Sequence, residues 1–339
     1  MQQHALKHKQ INGLSEVSLT RSESLAVKKL LENGPLSDKE LFEEYSYLSE
    51  IVKPALSENL VKVLSDFKSS DSVALLIKGL PIDDLIVSTP KTGYLPNWAT
   101  PIAVRVQFSI YGLLGLLPVV YSGENRTKLV RQVVPVASQA ANASSHGSET
   151  TFGYHVDNPD LPLLSEPNLA TSGCPEYLSL YGVRGDANVP TTIVSLIEVL
   201  ECLTLDDLGI LQGPFFSIQR PASFDGDQAV TKGLPLLRFD EVNGWLCRLD
   251  VENVSADMAF AQEALDRLVS LLNTQNFDQD LVLDKGDFLI FKNQKVLHTR
   301  RGFIPKFDGK DRWLMRMFGL NGSERFIPVS DDLPYVCKV

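Results

Sequence analysis

Histidine and cysteine are both scarce in this chain of 339 residues, which holds five of the first and four of the second. Cys174, Cys202, Cys247 and Cys337 show no zinc or disulfide spacing, so reduced structural thiols are expected. Basic charge is in deficit as well: 32 Lys and Arg stand against 42 Asp and Glu, a net charge of −10. A nucleic-acid surface needs a basic stripe to displace counterions, and no such partner is expected. Long apolar runs are missing too. The longest, Ile110–Tyr121, is shorter than the roughly 20 residues that span a bilayer, and Gly and Pro interrupt it, so it reads as a buried strand or loop. The leading MQQHALKHKQ has no apolar stretch behind its charges, which argues against a secretory signal and for a cytoplasmic protein without membrane partners. With 44% hydrophobic residues, global disorder is excluded. The oligomeric state is left open.

Along the chain, the first 70 residues read as helical. Thr20-x-x-Glu23 and Ser37-x-x-Glu40 both match the capping box, and Asn33-Gly34-Pro35 is a helix stop between them. Beyond them come short β-rich runs bounded by Gly, Pro or Asp: Val73–Ile77, Tyr177–Tyr181, Thr192–Leu196 and Asp287–Phe291. Two helices are expected among these, one near Thr204 and one over about Ala256–Leu272 with Phe260, Ala264, Leu265, Leu268 and Leu272 on one face. The pattern predicts a mainly β fold with α additions, a sandwich or jelly-roll barrel rather than βαβ units. Two domains are drawn: a helical extension over 1–70 that packs on the core, and a β core over 71–339. Segment 140–151 reads as a mobile polar loop, and 158–175 as a second long loop, placed where a lid would contact substrate.

The few histidines carry the chemistry. His4 and His8 fall in the terminus and His146 in the polar loop, which leaves His155 and His298. In the extended segment Tyr154-His155-Val156-Asp157, residues i and i+2 face one way, so His155 and Asp157 reach one ion. With His298 they form the two-His, one-carboxylate set of non-haem Fe(II) oxygenases; a chance H-x-D with structural histidines is the alternative. Downstream, Arg312 and Arg316 are four apart in an apparent strand, so both guanidinium groups face the same way. Each is fit to hold a carboxylate by a two-pronged contact, although surface pairing with Asp308 and Asp311 is the competing reading.

Together these features resemble the Fe(II)/2-oxoglutarate-dependent oxygenases, in the clavaminate synthase-like branch that includes hydroxylases of free arginine, asparagine and lysine. The likeness is strongest over 285–293 and from His298 through 307–314 to Arg316, and weaker back through His155-Val156-Asp157 to Ala74–Pro81. It implies a double-stranded β-helix (jelly-roll) core with helical insertions, Fe(II) on His155, Asp157 and His298, and 2-oxoglutarate and O2 as cosubstrates. It implies that Arg312 binds the distal carboxylate of 2-oxoglutarate, assisted by the Thr192 hydroxyl, and that Arg316 takes the carboxylate of the substrate. Gln132 would meet the amino-acid head group, and Asp250 the cationic end of a basic side chain. The implied reaction is hydroxylation of a free L-amino acid, lysine ahead of arginine, with release of succinate and CO2. Desaturation or cyclisation by the same chemistry, and a metal-binding jelly roll without turnover, remain as alternatives. Two departures stand out. Many members of the branch carry His-x-Glu where this chain has Asp157, and residues 158–175 do not follow the branch pattern. The carboxylate also sets the chain apart from halogenating relatives, which lack it.

Overall fold

The computed structural model describes residues 13–168, 170–226 and 228–339; His4 and His8 lie outside the described residues. The fold is mixed α/β. A long sheet runs in the order Leu14–Ser18, Ala74–Lys78, Phe288–Lys292, Tyr177–Arg184, Trp313–Leu320, Leu117–Tyr121, Leu333–Cys337, Pro328–Ser330, with Arg131–Val133 also paired to Trp313–Leu320. A second sheet has the order Gln279–Leu281, Thr191–Ser195, Val296–Arg300, Phe152–His155.

Alternation along the strands of the long sheet sorts side chains into two layers, because successive residues of a strand point to opposite faces. Leu75, Ile77, Tyr181, Phe288, Ile290, Trp313, Met315 and Met317 join a core with the N-terminal helices. Their neighbours Ala74, Leu76, Leu178, Leu180, Leu289, Phe291, Leu314 and Phe318 face the second sheet and pack with its Ile193 and Val296. Strands covered on both faces read as continuous apolar runs, as these do. The outer face of the second sheet, through Val194 and Leu297, packs on helix Ala259–Thr274 by way of Ala261, Ala264, Leu265 and Leu268. Phe260, expected on the buried face of that helix, is 40% exposed.

Both capping boxes form, at Thr20 and Ser37, and Thr204 caps helix Leu205–Leu211. The N-terminal part is not purely helical, however, since Leu14–Ser18 pairs in parallel with Ala74–Lys78 and forms the edge of the long sheet. The run Ile110–Tyr121 also differs from expectation. Its first half ends helix Pro101–Leu114, Gly115 closes that helix with φ +64°, and Leu117–Tyr121 is a strand. The helix escapes an amphipathic search because it is buried nearly all round. Its free N-terminal amides at Ile102 and Ala103 donate to the distant Asp83 carboxylate at 3.0 Å each. Buried Arg105 on the same helix donates to the carbonyls of Leu31, Glu32, Gly34 and Pro35, and so ties down the end of helix Arg21–Leu30.

Candidate active site between the sheets

Strand pairing brings the histidines together: His298 lies directly opposite His155 in the antiparallel pair, with ring centroids 4.0 Å apart. Asp157 follows two residues after His155, and its Oδ2 is 3.6 Å from His298 Nε2. One ligand atom from each of the three lies within 4.8 Å of the others. His155 Nδ1 sits 2.8 Å from the Gly153 carbonyl, which fixes the proton there and leaves Nε2 its lone pair. That Nε2 and Asp157 Oδ2 are buried without any hydrogen-bond partner. Orphaned buried polar atoms are costly, and a cation bound between them removes that cost. Burial, and then the neighbouring His155, push the His298 imidazolium well below its usual range, leaving the neutral ligating form. Burial alone would raise the Asp157 carboxyl, but foremost the Arg316 guanidinium outweighs it, and the group is held below the usual range as a carboxylate. Two imidazoles and one carboxylate with open positions suit Fe(II).

The backbone of Asp157 is itself gripped. Asn293, fully buried, accepts from the Asp157 amide at 3.0 Å and donates to its carbonyl at 3.1 Å. Arg316 Nη1 donates to Asp157 Oδ1 at 3.2 Å, and its Nη2 is hydrogen-bonded to Glu124, whose side chain has no exposure. Arg131 lies 3.6 Å from the same Glu124 oxygen. Arg316 therefore reaches the site already held by two carboxylates. Asn293 and Glu124 were not picked out by sequence reasoning as site residues. The only available signal was a lone Asn at a strand end and a lone Glu in a turn.

A cavity between the sheets extends from the His155, Asp157 and His298 cluster to buried Arg312, whose Nη2 donates to Thr191 Oγ1 at 2.8 Å. Thr192, expected in that role, points the other way and hydrogen-bonds Asp280 on the neighbouring strand. A one-residue step along a strand flips the face, and Thr191 is the hydroxyl that lines the cavity. Arg300, also missed, lines it too; it donates to the carbonyls of Ser148, Thr150 and Arg301 and lies 5.4 Å over the Phe303 ring. Burial lowers Arg312 to about 9, with Arg300 adding to it, and lowers Arg300 to about 10. Among the described residues neither guanidinium forms an ion pair, so this end of the cavity is a cationic pocket suited to a carboxylate.

On its other side the cluster opens into a cleft of about 390 Å³ that shares Phe152, His155, Asp157 and Arg316 with the first cavity. Asp250 and Glu252 line this cleft. Asp250 is 2% exposed, bridges to the His155 backbone, and accepts from Glu252 N and from Asn253 Nδ2. Burial raises its carboxyl, against the pull of His155. Gln132 does not line either space. It is paired with Met315 on the helix-facing layer and accepts from Trp313 Nε1 at 2.7 Å, whereas its neighbours Arg131 and Val133 face inward beside Arg316 and Leu314. None of the described residues of 158–175 lines the cleft either. Leu161, Leu163 and Cys174 are buried in the core between the sheets, and Arg325 donates to the carbonyls of Pro162, Leu163 and Glu166. The cleft wall is instead built from 141–145 and 221–223. The former belongs to the polar loop, which is pinned by buried His146 against the Gln132 carbonyl at 3.0 Å.

Similarities to known proteins agree with this geometry. The chain is 24% identical over 308 residues to an L-lysine 3-hydroxylase of Catenulispora acidiphila, covering 88% of this chain and 82% of that one. It is 28% identical to clavaminate synthase 2 of Streptomyces clavuligerus, covering 90% and 93%. Its fold superimposes on the non-heme iron oxygenase OrfP in complex with Fe and alpha-ketoglutaric acid with a TM-score of 0.75 at 26% identity, over 91% of this chain and 95% of that one. Residues 191–318, which hold Thr191, His298, Arg300, Arg312 and Arg316, match the family described as taurine catabolism dioxygenase TauD, TfdA family.

Proposed function

We propose that the chain hydroxylates an unactivated side-chain carbon of a free basic L-amino acid, lysine ahead of arginine, with release of succinate and CO2. The observation that carries this reading is the pair of unlike compartments meeting at His155, Asp157 and His298. One ends in Arg312 and Arg300, while the other is lined by Asp250 and Glu252. A dicarboxylate fits the first and a cationic side chain the second, since a buried ammonium needs an anionic partner. The similarity to an L-lysine 3-hydroxylase supports the same substrate class.

In this reading His155, Asp157 and His298 hold Fe(II), which supplies the oxidising chemistry of the reaction when cosubstrate and O2 are bound. Arg312, oriented by Thr191 and supported by Arg300, receives the distal carboxylate of 2-oxoglutarate. Arg316, fixed between Glu124 and Asp157, presents its remaining N–H groups to the substrate carboxylate. Asp250 and Glu252 hold the far ammonium, so a side-chain carbon between the two anchors rests beside the metal ligands. We take the two facing sheets as the walls of a double-stranded β-helix, with 71–339 as the oxygenase unit and 1–70 as an extension packed on it. Among the described residues no helix is long and apolar enough to cross a membrane, and four free cysteines fit a cytoplasmic location.

The test is succinate release with Fe(II), 2-oxoglutarate and ascorbate across the twenty amino acids, for wild type and Asp250→Asn. Lysine should lead, and the variant should lose about ten- to a hundred-fold in its apparent affinity for lysine. Preference for a neutral amino acid, or indifference to Asp250→Asn, would overturn the basic-substrate reading. Product analysis by mass distinguishes a gain of oxygen from desaturation.

A further inference from the structure

Directly after Glu124 the backbone enters the left-handed region for three residues running: Asn125, Arg126 and Thr127 have φ of 49°, 51° and 57°. None is glycine, and Thr is β-branched, the residue class for which this region is a genuine outlier. Such strain persists only where the surroundings over-determine it, and it gathers at functional sites.

The surroundings here do over-determine it. Buried Asn125 donates through Nδ2 to the Lys128 carbonyl at 2.6 Å and to the Val130 carbonyl at 3.2 Å, which closes the turn on itself. The Arg126 guanidinium lies 3.7 Å above the Tyr94 ring, and the Asp38 carboxylate takes the Leu129 amide and pairs with Lys128. The output of the turn is one side chain. It delivers Glu124, with no exposed surface, to Arg316 and Arg131, within 3.5 Å of Asn158 Nδ2.

We infer that Asn125 is a positioning residue for the substrate-carboxylate clamp, acting through the left-handed turn that sets Glu124 against Arg316. Asn tolerates the left-handed conformation, and its amide makes the two carbonyl contacts that a right-handed turn would forfeit. Loss of those contacts lets the turn relax, moves the Glu124 carboxylate and leaves Arg316 to swing toward Asp157 alone. The inference rests on the reading of Arg316 as the clamp, and it adds a residue that touches neither substrate nor metal.

The experiment compares L-lysine with L-lysinamide, in which the carboxylate is replaced by a neutral amide, binding to the enzyme loaded with Fe(II) and 2-oxoglutarate without oxygen, by calorimetry. L-Arginine and L-argininamide are run beside them. Wild type should prefer the acid over the amide by at least tenfold. Asn125→Ala should weaken the acid about tenfold while changing the amide, and the apparent affinity for 2-oxoglutarate, less than twofold. Asn125→Gly, which adopts positive φ freely but cannot donate, should fall between the two. Equal losses for acid and amide, or no loss for either, would overturn the positioning role. A wild type that does not discriminate acid from amide would instead overturn the clamp reading itself, so the two failures are distinguishable.

Discussion

Exchanging the adjacent threonines one at a time isolates what strand parity does to the Arg312 pocket proposed for 2-oxoglutarate. Thr191→Val keeps shape but deletes the hydroxyl that accepts from Arg312 Nη2 at 2.8 Å in a fully buried setting. A hydrogen bond to a charged group contributes about 1.5–3 kcal/mol, and Arg312 retains its other donors, so the lower end applies. About 1.5 kcal/mol is roughly a tenfold weakening of 2-oxoglutarate. Thr192→Val deletes a hydroxyl that bonds Asp280 on the outer side of the same strand. It should leave cosubstrate affinity within about twofold and cost at most about 1 kcal/mol of stability, because that contact is only part-buried. The assay is the apparent KM for 2-oxoglutarate in succinate release, with thermal melting as a control. A rise in KM for Thr192→Val equal to that of Thr191→Val would refute the assignment of faces.

Three further outcomes are expected. Asp157→Ala should abolish hydroxylation and lower iron affinity, measured by metal content after dialysis, while the melting temperature shifts little; near-normal turnover would sink the metal assignment. Arg312→Ala should raise the apparent KM for 2-oxoglutarate about ten- to a hundred-fold, and Arg300→Ala by less, because Arg300 also braces the carbonyls of Ser148 and Thr150; equal effects on cosubstrate and amino acid would point to general damage. Glu176, away from the site, is pushed up to about 7 by burial. Since the folded state then binds more protons than the unfolded one between about pH 4.5 and pH 7, stability should fall as pH rises through that window. Glu176→Gln should gain up to about 3 kcal/mol at pH 8 and nothing near pH 4, read by denaturant titration; a gain that does not vary with pH would contradict the linkage.

The cluster of His155, Asp157 and His298 was legible because histidine is scarce and because i and i+2 in an extended segment must face one way. The same rule placed Arg312 and Arg316 on one face. What it could not supply was register, the pairing that decides which parity looks inward. Once Arg131 is opposite Arg316 and Gln132 opposite Met315, Gln132 is consigned to the helix-facing layer, where Trp313 donates to it. The resemblance pointed to Gln132 and Thr192, yet each is one step out of phase with the cavity, which their neighbours Val133 and Thr191 line. Arg300 was legible by the same logic, two residues after His298, but only with the sheet in hand does it become a neighbour of Arg312.

The fold shows the complementary limit. Helix Pro101–Leu114 carries no polar stripe at helical spacing: its Arg105, Gln107 and Ser109 alternate with apolar residues two apart and are all buried, so the 3.6-residue contrast that marks a surface helix is absent. Its start joins a local signal, Pro101 in the first turn, to the distant Asp83 carboxylate, while its end is set locally by Gly115. The turn at Asn125–Thr127 follows the same rule, since three non-glycine residues in left-handed conformation are not written in their own propensities. They are imposed by Asp38, Tyr94 and the carbonyls of Lys128 and Val130. Where local preference and observed conformation disagree most, the chain places Glu124 against Arg316, and the disagreement itself marks the position as one the fold holds for the site.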